Sequence, residues 1–279
     1  MISFTHLDDA DCAAFERDGY VFKRAMFTPP EVAQCNRVIA TDPAIQGSGL
    51  KVADTAGGST ELALWNHPGD DVFGMIARCG RVAGGAEKLL GGEVYHYHSK
   101  LTMKRPGGGG RWEWHQDYGY WYQNGCLYPD MLSVAVALEP ATRENGCMQL
   151  LAGSHKLGRI EHGRVAGQTG ADPERVERAL ERLALVHCEM ALGDALFFHA
   201  NTLHCSAANL SDRSRNLLIC CYNKATNDPY KEHHHPRYTK LDMVPDAAVL
   251  AAGDRVTDAQ GRWFLEAGKD ETSDARTAG

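Results

Sequence analysis

The chain has 279 residues, of which 43% are hydrophobic and 23% charged, and its formal net charge is −7. These values predict an ordinary globular protein, and the dispersed Lys and Arg residues argue against a nucleic-acid partner. No run approaches the roughly 18 apolar residues that cross a bilayer, and the first residues lack the pattern of a signal peptide, so we expect a cytoplasmic protein with no membrane partner.

The nine cysteines are scattered and odd in number, and no two of them form a C-x-x-C pair. This pattern fits neither a disulfide framework nor a zinc ribbon, and it predicts reduced, mostly buried thiols. Because the dispersed charge disfavours a nucleic-acid partner, a small molecule is the expected partner.

The first third of the sequence, about residues 1–93, is predicted to form a helical layer. Its candidate helices are DDADCAAFERDG (8–19), PPEVAQCNRVIA (29–40) and DDVFGMIARCGRVAGGAEKLLG (70–91). They carry typical helix boundary signals: Asp residues begin the first candidate helix, a glycine closes it, and two prolines begin the second.

From about residue 94 to 225 the sequence changes to short apolar runs separated by Gly, Pro and Asn, which predicts a β-sandwich or barrel. The runs are GEVYHYHSKLTMK, MLSVAVALE, CMQLLAG, LALVHCEM, DALFFH and RNLLICCYN. One helix, DPERVERALERLA, is predicted after a glycine-rich loop at 163–170. No linker divides the chain, so we expect a single domain over 1–279 with a C-terminal extension at 226–279.

The segment RWEWHQDYGYWY places His115 and Asp117 two residues apart. In an extended chain both side chains point to one side and Gln116 points away. Downstream, His204 ends a strand-like run, and Ser206 and Arg215 follow. Two imidazoles and one carboxylate are the ligand set of non-haem Fe(II) oxygenases.

This order of motifs resembles the Fe(II)/2-oxoglutarate-dependent dioxygenases, and most closely the phytanoyl-CoA dioxygenase family, which includes ectoine hydroxylase. The likeness covers about residues 95–223. It implies a mainly β double-stranded β-helix, a jelly-roll or cupin-like core, with flanking helices. It also implies Fe(II), 2-oxoglutarate and O2 as cofactors, with His115, Asp117 and His204 as the catalytic iron ligands.

In the same resemblance Arg215 pairs with the distal carboxylate of 2-oxoglutarate and Ser206 is a second contact. A guanidinium suits this task because its planar fork matches a carboxylate. The segment HSKLTMK resembles a strand that contacts the cosubstrate, which makes Lys100 and Thr102 candidates, and Trp112 is a candidate for the wall of that site.

The aromatic residues Tyr118, Tyr120, Trp121 and Tyr122 follow the metal pair and are the candidate substrate contacts. Aromatic faces attract ammonium groups, so we expect a small polar substrate that is amine-bearing or zwitterionic: an osmolyte, an amino acid or an aminophosphonate. For a phosphonate, Lys100, Lys104, Arg105 and Arg237 are candidate partners. The halogenases of the superfamily lack this carboxylate, whereas Asp117 is present here, so the expected reaction is hydroxylation of an unactivated C–H bond. The protein is expected to be a monomer or a homodimer.

Several alternatives stay open at this point. The substrate could be an acyl-CoA or another lipidic molecule, or the protein could be a non-catalytic jelly roll that binds a ligand or zinc. His199 competes with His204 as the third ligand, and Arg213 competes with Arg215. The run at 233–235 is interpreted as a solvated His-rich loop, and no metal role is expected for His98.

Overall fold

The computed structural model describes residues 7–47, 50–257 and 259–264. The helices are α1 (Asp9–Asp18), α2 (Pro29–Thr41), α3 (Pro43–Gly47), α4 (Val72–Arg78), α5 (Gly85–Leu90), α6 (Asp117–Trp121), α7 (Pro173–Leu180), α8 (Ala248–Ala251) and α9 (Ala259–Arg262). In this part of the chain, no helix has the length and apolar character that a membrane span requires.

The strands are β1 (Tyr20–Lys23), β2 (Leu50–Ala53), β3 (Ser59–Trp65), β4 (Val94–Lys104), β5 (Trp112–His115), β6 (Met131–Ala137), β7 (Met148–Leu151), β8 (His162–Val165), β9 (Gln168–Ala171), β10 (Leu185–Cys188), β11 (Ala195–His199), β12 (His204–Ser206) and β13 (Arg215–Lys224). They form a seven-stranded sheet in the order β1-β11-β6-β13-β4-β3-β2 and a four-stranded sheet in the order β10-β7-β12-β5. The strand pairs are antiparallel, and the two sheets form the predicted jelly roll.

The prediction of a helical layer over about residues 1–93 is wrong for three segments, because β1, β2 and β3 all belong to the seven-stranded sheet. Gly19 ends α1 in the left-handed conformation with φ 81°, which turns the chain directly into β1. The hairpin of β2 and β3 extends the other edge of the sheet beside β4. Two short runs that contain apolar residues flank the glycine-containing TAGGS, which is typical of a hairpin. The sequence therefore carried a signal for the hairpin of β2 and β3.

The glycine-rich segment 163–170 was predicted as a loop, and the structure instead forms the two-stranded hairpin β8–β9 there. Helix α7 follows directly, with the side chain of Asp172 accepting a hydrogen bond from the backbone N–H of Arg175 as the predicted cap. The six apolar runs predicted as strands correspond to β4, β6, β7, β10, β11 and β13.

The two largest apolar clusters of the described residues stabilise the fold. One lies where the helices pack on the outside of the large sheet and includes Phe73, Val82 and Phe197. The other lies between the two sheets and includes Leu150 and Leu217.

All nine cysteines are free and eight are buried, as predicted. Of the predicted C-terminal extension, residue 258 and residues 265–279 lie outside the described residues.

Candidate active site

A cavity of about 690 Å³ opens between the two sheets. Strand β4 contributes alternate residues, from His98 to Lys104, because successive side chains of a strand point to opposite faces. The neighbouring β13 contributes Arg215, Leu217 and Ile219 in the same way. The opposite wall comes from β5 and β12, so both sheets are needed to build the cavity.

Three buried side chains with metal-binding atoms meet in this cavity. His115 ends β5, Asp117 begins α6 and His204 begins β12, and one ligand atom from each lies within 4.8 Å of the others. His115 and His204 are direct partners in the β5–β12 pairing. The Nε2 atom of His204 is 3.9 Å from Oδ1 of Asp117. Residues far apart in sequence therefore form a set that a single ion could bridge.

The hydrogen bonds of the two imidazoles leave the same nitrogen of each available for a metal. Nδ1 of His115 is 2.7 Å from the carbonyl oxygen of Glu113, and Nδ1 of His204 is 2.9 Å from that of Thr202. Because a carbonyl only accepts, each Nδ1 must carry the proton, and Nε2 keeps its lone pair. Burial lowers the pKa of both rings, which favours the neutral form that binds metals.

The carboxylate of Asp117 is held on both sides. Its Oδ2 accepts a hydrogen bond of 2.7 Å from the hydroxyl of Ser133, and its Oδ1 is 3.6 Å from Nζ of Lys100. Desolvation of the buried group opposes ionisation, but the Lys100 ammonium and the nearby imidazoles outweigh it, and the pKa of Asp117 lies below its ordinary value. The group is thus an anion with a defined orientation.

Gln116 points away from the metal pair, as predicted, but it is a buried anchor. Its side-chain amide donates to the carbonyl oxygens of Gly158 and Asn201, and its carbonyl accepts from the N–H of Ile160. The chain is extended at Gln116 and becomes helical at Asp117. The expectation of an extended chain therefore holds at His115 and ends before Asp117.

The predicted cosubstrate contacts Arg215 and Ser206 lie together at one side of the cavity with Lys104. Arg215 is buried, and its Nε has no hydrogen-bond partner among the described residues. Lys104 is its direct partner across β4 and β13, and Nζ of Lys104 donates to Oγ of Ser206 at 2.8 Å and to the carbonyl of Ala207. Burial, and secondarily Arg215, lower the pKa of Lys104 to about 6. Desolvation lowers the pKa of Arg215 to about 10.

The other predicted cosubstrate contacts also line this cavity. Thr102 lies on the same face of β4, and its buried hydroxyl has no partner within the described segments. The Trp112 ring is 6.1 Å from the ring of His115. Lys100, beside Asp117, completes the group.

Only two of the four predicted aromatic substrate contacts reach the cavity. Tyr120 and Trp121 line it, whereas Tyr118 lies in the core, where its hydroxyl donates to the carbonyl oxygen of Cys126. Tyr122 is 42% exposed on the outside. The physical reason is the geometry of helix α6. Tyr120 and Trp121 lie three and four positions after Asp117 and share its face of the helix. Tyr118 and Tyr122 lie one and five positions after it and do not.

Two histidines of the cavity were not assigned a role by the sequence. His98 and His235 both line it, and their rings stack with centroids 4.7 Å apart. Nδ1 of His235 bonds to Oδ1 of Asn66 at 2.9 Å, so the interpretation of 233–235 as a solvated loop is wrong for His235. The signal for His98 was the alternation in HSKLTMK, where four polar side chains share one face of the strand: His98, Lys100, Thr102 and Lys104.

The competing assignments lie elsewhere. His199 is packed near Phe15, and its Nδ1 accepts the N–H of Asn201, so it does not face the cavity. Arg213 is exposed and lies 3.9 Å from Glu144.

Of the four candidate phosphonate partners, the two lysines line the cavity and the two arginines do not. Arg105 pairs with Glu61, and Arg237 pairs with Asp228, both at the surface.

The comparisons with known proteins agree with this geometry. The family model described as phytanoyl-CoA dioxygenase matches residues 15–217. A protein named L-proline trans-4-hydroxylase from Streptomyces griseoviridis is 31% identical over 201 residues, which cover 66% of this chain and 75% of that protein. An ectoine dioxygenase from Stutzerimonas stutzeri is 28% identical over 245 residues, covering 79% and 80% of the two chains.

Solved structures show the same fold. The crystal structure of EctD from S. alaskensis with 2-oxoglutarate and 5-hydroxyectoine has a TM-score of 0.70 and 23% identity, covering 88% of this chain and 91% of that one. The same enzyme with bound Fe has a TM-score of 0.71. With its buried His–Asp–His cluster, the chain belongs to the phytanoyl-CoA dioxygenase family and is a 2-oxoglutarate-dependent dioxygenase that uses Fe(II) and O2.

Proposed function

We propose that the protein hydroxylates an unactivated C–H bond of a small, polar, amino-acid-like metabolite. The observation that carries the proposal is the pairing of a buried His–Asp–His set with a buried arginine whose Nε lacks a partner in the described structure, in one cavity. The names of the relatives, L-proline trans-4-hydroxylase and ectoine dioxygenase, support the substrate class.

In this proposal His115 and His204 hold the iron through Nε2 and Asp117 through its carboxylate. Bound there, the iron supplies the activation of O2, with 2-oxoglutarate as the source of electrons. Ser133 orients the carboxylate, and the carbonyls of Glu113 and Thr202 orient the imidazoles. These contacts restrict side-chain rotation, so the ligand set is formed before the ion binds.

The cosubstrate would bind at Arg215. A guanidinium buried with a free Nε pairs well with a carboxylate, and the Ser206 hydroxyl, which accepts from Lys104, is free to donate its own proton to the same group. The unpartnered hydroxyl of Thr102 and the ring of Trp112 would complete the walls. A simple zinc site has no use for these groups, which weighs against a non-catalytic metal-binding protein.

A lipidic substrate is the second candidate, because one wall of the cavity is apolar. Leu62 and Leu64 of β3 form this wall with Leu50, Val52 and Trp112. A panel of small amino acids and of medium-chain acids, assayed by succinate formation, separates the two substrate classes. We expect the amino acids to give the higher turnover.

The first test concerns the iron ligands. We expect Asp117→Ala to bind iron at least about tenfold more weakly than the parent chain and to lose measurable succinate formation, because one of three ligands is removed. Metal content after dialysis and turnover of 2-oxoglutarate are the measurements. Asp212→Ala, a change at an exposed residue outside the cavity, is the matched control. Full turnover in Asp117→Ala would contradict the assignment.

The second test concerns the cosubstrate. We expect Arg215→Ala to weaken 2-oxoglutarate binding about 10- to 100-fold, the range for a charge-assisted hydrogen-bonded pair. Calorimetric titration of the metal-loaded protein measures this, and the affinity for substrate should change far less. Arg213→Ala serves as the control because its side chain is at the surface. An equal loss of cosubstrate and substrate affinity would count against the role of Arg215.

A further inference from the structure

The hairpin β8–β9 forms a two-stranded sheet of its own, and it contributes part of the cavity wall. Four of its residues line the cavity: Arg164, Gly167, Gln168 and Thr169. The strand order places the hairpin outside both larger sheets, so contacts other than strand ladders attach it to the site. Several of these contacts are made with the segment that carries His115 and Asp117.

Two side chains of this hairpin bind the backbone on either side of His115. Oε1 of Gln168 accepts a hydrogen bond of 3.1 Å from the N–H of Glu113. Nε2 of His162 accepts a hydrogen bond of 2.9 Å from the N–H of Gln116. The backbone that presents the first metal ligand is therefore held both before and after that ligand.

The orientation of the His162 ring is fixed by a second hydrogen bond. Its Nδ1 is 2.8 Å from the carbonyl oxygen of Ile160, and because a carbonyl only accepts, Nδ1 carries the proton. Nε2 therefore keeps its lone pair for the N–H of Gln116. The N–H of Ile160 in turn donates to Oε1 of Gln116. Each of the two segments thus supplies both a donor and an acceptor to the other.

Helix α6 has space for the same ring. A Cβ atom at Gly119 would overlap three atoms of the His162 imidazole, so the close approach of the ring requires a glycine at this position. The ring of Tyr120 meets the His162 ring edge-on, with centroids 5.6 Å apart, and its hydroxyl donates to the carbonyl oxygen of Thr169. Because α6 begins with Asp117, these contacts position the helix that carries the second ligand.

Loss of the acceptor on His162 would affect the metal ligands through the backbone. Gln116 is fully buried, so its N–H would be left without a partner, and such a group favours a backbone turned towards another acceptor. His115 and Asp117 are attached on either side of this residue. A turn at Gln116 therefore moves both ligand atoms relative to His204.

We propose that His162 is a positioning residue for the metal centre: it holds the backbone between His115 and Asp117 and joins that backbone to the hairpin β8–β9. This inference rests on the ligand assignment made under the proposed function. His162 itself lies outside the described lining of the cavity, so it acts through the backbone and not by contact with the substrate.

The test uses Co(II), titrated into the full chain, because Co(II) binds nitrogen and oxygen ligands and its visible absorption spectrum reports their geometry. We expect His162→Phe, which keeps a ring but has no acceptor, to weaken Co(II) binding at least about tenfold and to change the spectrum. His162→Gln keeps an acceptor and should retain both the parent spectrum and an affinity within about threefold. The control is His187→Phe, at a half-buried histidine of the edge strand β10 outside the cavity.

A double-mutant cycle tests the contact between the ring and helix α6. Gly119→Ala should weaken Co(II) binding several-fold in the parent chain, because the added methyl group displaces the His162 ring. In His162→Ala the space is open, so the same change should alter the affinity less than about twofold. Thermal unfolding with a chelator present checks that each variant folds. If His162→Phe does not fold, the comparison of His162→Gln with Gly119→Ala decides.

Three results would overturn the proposal. They are an unchanged affinity and spectrum in His162→Phe, losses of equal size in His162→Gln and in either His162→Phe or Gly119→Ala, and a loss of the same size in His187→Phe. If Asp117→Ala loses Co(II) binding and one of these results occurs, only this inference fails. If Asp117→Ala binds Co(II) as tightly as the parent chain, the ligand assignment of the proposed function fails.

Discussion

At the scale of single residues, the site depends on side chains whose charge and orientation are set by their neighbours. His115 and His204 are neutral because they are buried, and each presents Nε2 because Nδ1 is bonded to a backbone carbonyl. These carbonyls belong to residues two positions earlier in the chain, so the orientation is a local property of each strand end. The same ligand atoms would be mispositioned if either backbone turned differently.

Lys104 gives a pH-dependent prediction. Its environment contains Arg215, Cys205, Asp54 and Cys147, and the thiol pKa values are raised to about 12 and about 11, so neither thiol titrates near neutral pH. With its own pKa lowered to about 6, the amine is mostly neutral at pH 7.5 in the cosubstrate-free protein. In the proposed function, 2-oxoglutarate would bind next to this amine as a dianion and favour the ammonium form, so binding would take up a proton.

The dissociation constant of 2-oxoglutarate should therefore increase as the pH rises from 6 towards 8, by at most about tenfold per pH unit. Calorimetry at several pH values with the metal bound measures this dependence. In Lys104→Met the dependence should flatten, because no proton is available at that position. The same slope in both proteins would show that another group is responsible.

At the scale of elements, the short helix α6 decides which aromatic side chains belong to the site. Apart from Asp117, no residue signals the start of this single turn, because it contains no Pro and no capping Ser or Thr. A tertiary contact supports it: the N–H of Tyr118 donates to the carbonyl oxygen of Ala200. The helical register, rather than the composition of the segment, separates Trp121 from Tyr122.

This separation can be tested with adjacent residues. We expect Trp121→Phe to raise the KM for the best amino-acid substrate about three- to tenfold, since it removes ring contact in the cavity wall worth about 1 kcal/mol. Tyr122→Phe, on the outer face, should change KM less than about twofold. Steady-state succinate formation measures both. Equal effects of the two substitutions would contradict the helical orientation.

At the scale of the whole molecule, the C-terminal segment is joined to the N-terminal helices by buried charges. Arg262 in α9 is fully buried, forms an ion pair with Asp42 and lies 3.4 Å from Asp71, and it donates to the carbonyl of Thr257. An earlier part of the C-terminal region, between β13 and α8, brings His235 into the cavity. Asn66 connects the two parts, because its N–H donates to the carbonyl oxygen of Trp263 and its Oδ1 lies 2.9 Å from Nδ1 of His235.

We expect Arg262→Leu to lower the free energy of unfolding by about 3–5 kcal/mol, because two buried carboxylates lose their cationic partner. Urea denaturation followed by circular dichroism measures this change. Arg255→Leu, an exposed arginine of the same segment, should change the free energy by less than about 0.5 kcal/mol. A comparable loss in both variants would show that the effect is general to the segment.

The sequence by itself determined the β-rich core, the helix caps and the His–x–Asp, His and Arg order that predicted the metal and cosubstrate residues. These features depend on neighbours within a few residues, through alternation, caps and motif spacing. Only the tertiary structure decided that β1, β2 and β3 join the large sheet, that Tyr118 and Tyr122 face away, and that His98 and His235 meet beside Lys100. Those outcomes depend on pairing and packing between segments far apart in the chain, which no local pattern specifies.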